Sequence, residues 1–105
     1  MTQDTNPLVL IVDDDEDLAT SISDVLESRG YRTAVAQEAD LARKLARSRN
    51  PAAALVDVRL GTEDGIDIIR DLVESRPGLR CIVITAYAET ETAIRQLVDE
   101  LQNMK

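Results

Sequence analysis

The chain has 105 residues, 44% of them apolar but only two aromatic, so its core is predicted to be aliphatic. This length corresponds to one domain, large enough to bury a core without disulfide bonds or structural metal. The net charge of −8 argues against nucleic acid or an anionic membrane as a direct partner, because both attract basic patches.

Histidine is absent and Cys81 is the single cysteine, which favours a reducing, cytoplasmic location. Zinc and copper sites commonly use these two residue types, so neither metal is expected. The apolar runs are all shorter than 18 residues, and the N-terminus MTQDTNP lacks a basic or apolar signal segment. We therefore expect no membrane-spanning or secretory element.

Strand and helix patterns alternate along the first half of the chain. LVLIV at 8–12 is a continuous apolar run, typical of a strand buried on both faces. A helix up to Gly30 follows, and its apolar positions are Leu18, Ile22, Val25 and Leu26. RTAVA at 32–36 indicates a weaker strand. ADLARKLARSR at 39–49 indicates a helix with Leu41 and Leu45 on one face.

The alternation continues in the second half. AALVD at 53–57 predicts a buried strand, RLGTEDG at 59–65 a loop, and CIVIT at 81–85 a fourth buried strand. The helix between the loop and the fourth strand is predicted from Ile66, Ile69 and Leu72. The last helix follows the spacing i, i+3, i+4, i+7, with Ile94, Leu97, Val98 and Leu101.

This order predicts an α/β fold, a doubly wound open parallel sheet with right-handed crossovers, four strands and about four helices. Ligands of such sheets bind at the carboxyl ends of the strands. The three most apolar strands end in Asp13-Asp14, Asp57 and Thr85. The fold is therefore expected to gather these residues along one rim.

Ionised carboxylates at that rim would repel one another by roughly 4 kcal/mol per pair at about 4 Å, at an effective dielectric constant near 20. A hard divalent cation with oxygen ligands would offset this repulsion. The acidic run DDDED therefore divides into two parts. Asp13 and Asp14 are candidate metal ligands with Asp57, whereas residues 15–17 are interpreted as an acidic, solvated helix start.

Three stretches carry a resemblance to a known family: LVLIVDDD, ALVDVRLGTEDG and CIVITAYAE. Together they resemble the receiver domains of bacterial two-component response regulators, the CheY-like family with a flavodoxin-like sheet. The resemblance covers residues 8 to about 98 and implies that 1–105 is a single receiver domain, short at its C-terminus.

The resemblance implies a role for each matching residue. Asp57 would be the nucleophile that accepts a phosphoryl group, and Asp13 and Asp14 would hold Mg²⁺. Asp14 would be the more direct ligand, with Asp13 acting largely through water. The backbone carbonyl of Arg59 would be a further ligand, and the Thr85 hydroxyl would hydrogen-bond the phosphoryl group.

The family also implies a function in signal transduction. A sensor histidine kinase or phosphotransfer protein would donate the phosphoryl group, and a conformational change would relay the signal. The lack of histidine means that this chain cannot itself be the histidine donor. We expect a self-phosphorylating module, not an enzyme that turns over substrate.

The C-terminus departs from the family pattern. A complete receiver continues with a fifth strand, a lysine followed by proline, and a fifth helix. Lys105 has no following proline and is not assigned the lysine's role. The strand at 81–85 is therefore expected to be an exposed edge and the sheet face of the fifth helix to be bare. A piece of a longer receiver and a truncated variant completed by self-association, as a homodimer, both fit.

Two alternatives remain open. A pseudo-receiver would keep the fold as a protein-binding module without phosphorylation, and the departures at the C-terminus favour it. A Mg²⁺-dependent phosphatase of the haloacid-dehalogenase type would share the chemistry at the strand end. It would need a second acid two residues after the nucleophile, where this chain has Arg59.

Overall fold

The computed structural model describes residues 6–57, 65–84 and 90–103. Strands and helices alternate in these residues, as the sequence predicts. The elements are β1 (Leu8–Val12), α1 (Glu16–Ser28), β2 (Arg32–Ala36), α2 (Ala39–Arg49), β3 (Ala53–Asp57), α3 (Gly65–Ser75), β4 (Arg80–Ile84) and α4 (Thr90–Gln102). β4 begins one residue earlier than predicted, at Arg80, and residue 85 lies outside the described residues. Gly65, predicted as the last residue of a loop, begins α3, and the rest of that predicted loop, 59–64, lies outside the described residues.

The four strands form one parallel sheet in the order β2-β1-β3-β4. This confirms the predicted doubly wound α/β fold. β1 is paired on both sides and is buried along its whole length, which explains its uninterrupted apolar sequence. Within the described residues β4 is an edge strand, as expected.

Side chains of successive strand residues point to opposite faces of the sheet and belong to two apolar clusters. Val9 and Ile11 of β1 pack with α1 on what we call the α1 face. Leu10 and Val12 pack with α2 and α3 on the opposite face, the α2/α3 face. The three layers hold β1 and β3 at the centre of the molecule, where their carboxyl ends lie side by side.

Helix α4 does not lie where the chain direction would place a crossover helix. The chain moves from β2 past β1 to β3 and on to β4, and the helices of that direction, α2 and α3, share one face. A right-handed crossover beyond β4 would put its helix on this same face. Instead, α4 packs on the α1 face over β3 and β4, in one cluster with Ile22 and Leu26 of α1.

The expectation of a bare sheet face is therefore wrong for the described residues. The apolar stripe predicted for the last helix is buried against its own sheet, with Ile94, Leu97, Val98 and Leu101 each at most 7% exposed. Burial of these four side chains on the α1 face covers Ile82 and Ile84 of β4. The final helix therefore closes the core of its own chain.

The buried stripes of the other helices differ from those predicted. Val25, Leu41 and Ile66 are 39%, 38% and 48% exposed. In α2 the residues that face the sheet are alanines, namely Ala39, Ala42 and Ala46. Small side chains let the helix axis lie close to the strands, so the bulkier leucines project sideways. A pattern that counts only large apolar residues misses this stripe.

Candidate functional site

The acidic residues at the ends of β1 and β3 form one cluster. Asp57 is the last residue of β3, and Asp13 directly follows β1, whose Val12 is in register with Val56. Asp13, Asp14 and Asp57 each offer one carboxylate oxygen, and these three oxygens lie within 4.8 Å of one another. The cluster sits at the carboxyl ends of adjacent parallel strands, where open α/β sheets bind their ligands.

Asp13 is the buried member of this cluster, with 0% of its surface exposed. Its backbone N–H donates to the carbonyl of Ala36 at 3.1 Å, which ties it to the end of β2. Its Oδ1 accepts the backbone N–H of Asp15 at 2.9 Å. Its Oδ2 is buried and has no hydrogen-bond partner in the part of the chain that the structure describes. A buried oxygen without a partner is costly and indicates a missing ligand.

The pKa of Asp13 is raised to about 6, mainly by burial and to a smaller extent by the charges of Asp57, Asp14 and Asp15, against the lowering effect of the Asp15 N–H. The physical cause is that an ionised carboxylate loses hydration in this position while it faces other carboxylates. At neutral pH the cluster is consequently under electrostatic strain that a bound cation would relieve.

The remaining acids of the DDDED run start helix α1. Asp15 is the N-cap residue, and its Oδ1 accepts the backbone N–H of Leu18 at 3.1 Å. Glu16 and Asp17 occupy the first turn and are exposed. There they interact favourably with the positive end of the helix dipole. This confirms that residues 15–17 form an acidic helix start, whereas the assignment of Asp13 and Asp14 as site residues stays a prediction.

The donor set fits a hard divalent cation. All three side chains offer carboxylate oxygens, which Mg²⁺ and Ca²⁺ prefer. One oxygen of the set is already buried and without a partner, so binding would not break an existing hydrogen bond at that atom. Asp14 is exposed and Asp57 half-buried, which leaves the cluster accessible from one side.

A model of the response regulator receiver domain matches residues 9–104. The chain belongs to this family. The match spans most of the 105 residues and agrees with the motifs at the ends of β1 and β3. It establishes the signalling class of the module, two-component response regulation, and it explains why the carboxylates cluster at this edge.

Curated relatives of the receiver are transcriptional and photosynthetic regulators. It is 36% identical over 89 residues to the photosynthetic apparatus regulatory protein RegA of Rhodovulum sulfidophilum, covering 85% of this chain and 49% of the relative. It is 34% identical over 97 residues to the transcriptional regulatory protein ZraR of Escherichia coli O157:H7, covering 92% and 22%. The receiver therefore spans about half the length of RegA and less of ZraR.

Solved structures show the same fold. A CheY-like receiver domain from Methanospirillum hungatei superposes with a TM-score of 0.79 at 23% identity, over 93% of this chain and 92% of the other. A response regulator from Burkholderia pseudomallei, solved with a phosphorylated aspartic acid, calcium ion and citrate, gives a TM-score of 0.72 at 30% identity, over 87% and 55%. The likeness to the first supports the fold alone.

Two residues implied by the family resemblance, Arg59 and Thr85, lie outside the described residues of the receiver, and so does Lys105. Thr85 directly follows Ile84 in the sequence, and Ile84 is in register with Asp57. The sequence predicts Asp13 and Asp14 as a pair of site residues and does not indicate that the first is buried and the second exposed. The only signal for this difference is that Asp13 comes first after the strand.

Proposed function

We propose that the chain is a phosphoacceptor signalling module, a single receiver domain that takes a phosphoryl group on Asp57. The observation that carries the proposal is the convergence of the Asp13, Asp14 and Asp57 oxygens within 4.8 Å, in a member of the receiver family. The phosphorylated aspartic acid in the Burkholderia relative supports it. Residue 57 is half-buried, so part of it is accessible from solvent.

The chemistry requires a carboxylate nucleophile and a phosphorylated donor. An oxygen of Asp57 forms a new bond to phosphorus while the bond between phosphorus and the donor's leaving group breaks, and the leaving group departs with its electron pair. The product is an acyl phosphate. The pairing of β1 with β3 places Asp13 and Asp14 beside the nucleophile Asp57. Asp13 lies on the buried side of the cluster and Asp14 on the exposed side.

A divalent cation, which we propose to be Mg²⁺, would be held by Asp13, Asp14 and Asp57, with the backbone carbonyl of Arg59 as a further ligand. When bound, it supplies charge neutralisation between the carboxylates and the anionic phosphoryl group. The buried Oδ2 of Asp13, which has no hydrogen-bond partner among the described residues, supports this ligand set. The hydroxyl of Thr85 is proposed to hydrogen-bond the phosphoryl group.

Mg²⁺ is expected to stabilise the folded chain. At a free concentration of 100 times its dissociation constant, binding to the native state adds about 2.7 kcal/mol to the free energy of unfolding. For a domain of this size that is a rise in melting temperature of roughly 10 °C. Thermal melts with and without Mg²⁺ measure it. Asp14→Ala should remove most of the rise, whereas Asp17→Ala, an exposed acid in the first turn of α1, should keep it. A rise of equal size in all three proteins would contradict the ligand set.

Phosphoryl uptake is expected to require Asp57 as the acceptor. Wild-type protein incubated with a small phosphodonor and Mg²⁺ should gain one phosphoryl group in its intact mass. Asp57→Asn is nearly isosteric and should fold normally but show no uptake, because an amide is not a nucleophile towards phosphorus. Asp24→Asn, an exposed change on α1, serves as the matched control and should be phosphorylated like the wild type. Undiminished uptake by Asp57→Asn would move the acceptor to another residue.

The second candidate function is a pseudo-receiver that binds partners without phosphorylation. The position of α4 on the α1 face supports it, since this arrangement differs from a chain in which a crossover helix leads to a fifth strand. The same mass measurement discriminates between the two functions: a wild-type chain that binds Mg²⁺ but takes up no phosphoryl group would favour the pseudo-receiver. In neither case do we propose a turnover enzyme.

The proposed partners follow from the function. A sensor histidine kinase or a phosphotransfer protein would donate the phosphoryl group, in the reducing cytoplasm that a lone cysteine favours. A second copy of the chain is the other partner that we propose, bound through the exposed sheet edge. None of the described helices is long and apolar enough to cross a membrane.

A further inference from the structure

The outer side of β4 presents backbone N–H and C=O groups that do not face β3. The N–H of Arg80 donates to Ala52 beside β3, so the backbone groups of alternate residues from Arg80 on point towards β3. The N–H and C=O groups of Cys81 and Val83 therefore point away from the sheet. They have no partner among the described residues, because β4 is the edge of the sheet that these residues form.

The burial and the composition of β4 favour pairing of its outer side with another strand. Ile82 and Ile84 are 6% and 2% exposed beneath α4, which fixes the backbone of β4 firmly in the sheet. Residues 81–84 contain no charge and no proline, the features by which natural edges prevent pairing. A helix on the α1 face is not in the position of a right-handed crossover from β4 to a parallel strand beside it. Among the described residues, the outer side of β4 is therefore open to a strand of a second copy.

We propose that β4 pairs with β4 of a second copy in an antiparallel, two-fold arrangement, with Cys81 of one chain opposite Val83 of the other. This register pairs all five residues of β4. It sets Ile82 against its own copy at the two-fold axis. The outward groups of Cys81 and Val83 then form four hydrogen bonds, two in each Cys81–Val83 pair. The proposal deepens the self-association proposed above and is independent of phosphoryl transfer at Asp57.

In this arrangement the helices on each face of the sheet would lie at packing distance from their copies in the second chain. A two-fold axis normal to the sheet keeps the two α1 faces on the same side of an eight-stranded sheet. Helix α4 lies over β3 and β4, and α3 lies over the same strands on the other face. With strands about 4.8 Å apart, a helix centred between β3 and β4 would lie roughly 10 Å from its copy. That is the ordinary distance between packed helices.

The flank of α4 that would meet its copy is uncharged at its centre. Glu91, Ile94 and Arg95 line a groove against α1, so helical periodicity puts Ala93, Gln96 and Glu100 on the opposite flank, towards the edge. Gln96 donates to Glu100 at 3.3 Å, and Glu100 lies 3.8 Å from Arg80 of β4.

Near the two-fold axis, the Gln96 amide of one chain would thus face the Gln96 amide of the other. The two Glu100 carboxylates would lie at opposite ends of the contact, each near Arg80 of its own chain. Like charges do not meet at the centre of the contact even though the chain carries a net charge of −8. The flank is complementary to itself, which a two-fold contact requires.

The contact area fits a reversible dimer. Five residues of strand span about 17 Å, and two helix layers with the sheet between them are roughly 30 Å thick. The covered edge is therefore about 500 Å² per chain, or roughly 1,000 Å² in total, at the lower limit of specific interfaces. We expect dissociation in the micromolar range and little dependence on salt, since the contact is made by backbone groups and apolar side chains.

Val83→Pro tests the hydrogen bonds without disturbing β3. The N–H that it removes points outward, and proline is tolerated on the solvent side of an edge strand. Two of the four intermolecular hydrogen bonds disappear, so the dimer should weaken at least tenfold. Val83→Thr keeps the N–H and the branched shape and should dimerise like the wild type. Sedimentation across a dilution series measures both, with thermal melts of each variant to establish that it folds. A dimer of unchanged affinity in a folded Val83→Pro variant would overturn the proposal, and so would a wild type that stays monomeric at 200 micromolar.

Cysteine cross-linking tests the register separately. Facing residues of a non-hydrogen-bonded antiparallel pair have Cα atoms about 4.5 Å apart, within the range of a disulfide. Ile82→Cys in a Cys81→Ser background should therefore oxidise to a covalent dimer. Wild-type Cys81 should not, because it lies two positions out of register with its copy. Rapid cross-linking of the wild type, or none in the Ile82→Cys protein at concentrations where it dimerises, would overturn the register. Neither result would bear on phosphoryl uptake, which is measured on Asp57.

Discussion

Replacing Asp13 by asparagine is expected to make the metal-free protein more stable at pH 7.5. The side chain is nearly unchanged in shape, and its Oδ1 can still accept the N–H of Asp15. Its amide would occupy the position of the buried, unpartnered Oδ2 and could donate to the facing carboxylates. An ionised group with one unpartnered oxygen is thus exchanged for a neutral group whose amide can find a partner.

The pH dependence gives the sign and size of this effect. Burial raises the pKa of Asp13 from 3.8 to about 6, so the folded state holds its proton more tightly than the unfolded state. Stability from this group therefore falls as the pH rises from about 4 to above 6, and the loss is complete above the folded pKa. A shift of about two units corresponds to roughly 3 kcal/mol. Below pH 4 the carboxyl is protonated in both states, and the variant should match the wild type.

Chemical denaturation in the presence of a chelator, repeated between pH 4 and 8, measures the difference. Asp17→Asn, an exposed change in the first turn of α1, is the matched control and should cost only a few tenths of a kcal/mol through the helix dipole. Adding Mg²⁺ should reverse the order, because the cation stabilises the wild type and finds one ligand fewer in the variant. Equal stabilities of wild type and Asp13→Asn at pH 7.5 without metal would contradict the electrostatic strain argued for the cluster.

The strands and their ends could be predicted from sequence because two simple rules act on them. Runs such as LVLIV are buried on both faces only in a parallel sheet, and parallel strands bring their carboxyl ends to one edge. In a doubly wound sheet β1 and β3 are adjacent, so Asp13 and Asp57 become neighbours although they are 44 positions apart in the chain. Family motifs add the chemistry to this placement.

Burial at individual positions could not be predicted in the same way. Asp13 and Asp14 are adjacent and identical in type, yet the first is buried and the second exposed, because the turn from β1 into α1 decides which carboxylate points inward. In α2 the sheet is approached by Ala42 while Leu41 remains exposed. Side-chain volume, and not hydrophobicity alone, determines which face of a helix fits close to a sheet.

The position of α4 follows from the whole fold and not from its own sequence. Its amphipathic pattern specifies that Leu97 and its neighbours must be buried, but it does not specify which face of the sheet they cover. The α1 face over β3 and β4 is the area that α1 alone leaves open, since α1 packs mainly over β1 and β2. Burial of the available apolar surface decides the position of α4, because among the described residues no strand follows α4 that the crossover rule would constrain.

Leu97→Ala is therefore expected to cause the largest loss of stability among single changes in α4. Leu97 is completely buried and packs in the cluster of the α1 face. Truncation of a buried leucine removes its transfer free energy and leaves a cavity, at a cost of about 3 kcal/mol. The melting temperature should fall by more than 10 °C. Leu41→Ala, which truncates the same side chain at a position that is 38% exposed, should cost less than 1 kcal/mol. Denaturant unfolding of the two variants measures both free energies.

The face that α4 covers can be tested by energetic coupling. Ile22 of α1 and Ile94 of α4 line the same groove, whereas Leu72 of α3 lies in the cluster on the opposite face. Conservative truncations of residues in contact are non-additive, while those of distant residues add within about 0.5 kcal/mol. Ile22→Val combined with Ile94→Val should therefore deviate from additivity, and Leu72→Val combined with Ile94→Val should not. The reverse pattern would put α4 on the α2/α3 face, restore the geometry of a crossover helix and leave the α1 face over β4 exposed. The arrangement of β4 and α4 on which the edge pairing depends would then fail as well, while the carboxylate cluster at the ends of β1 and β3 would be unaffected.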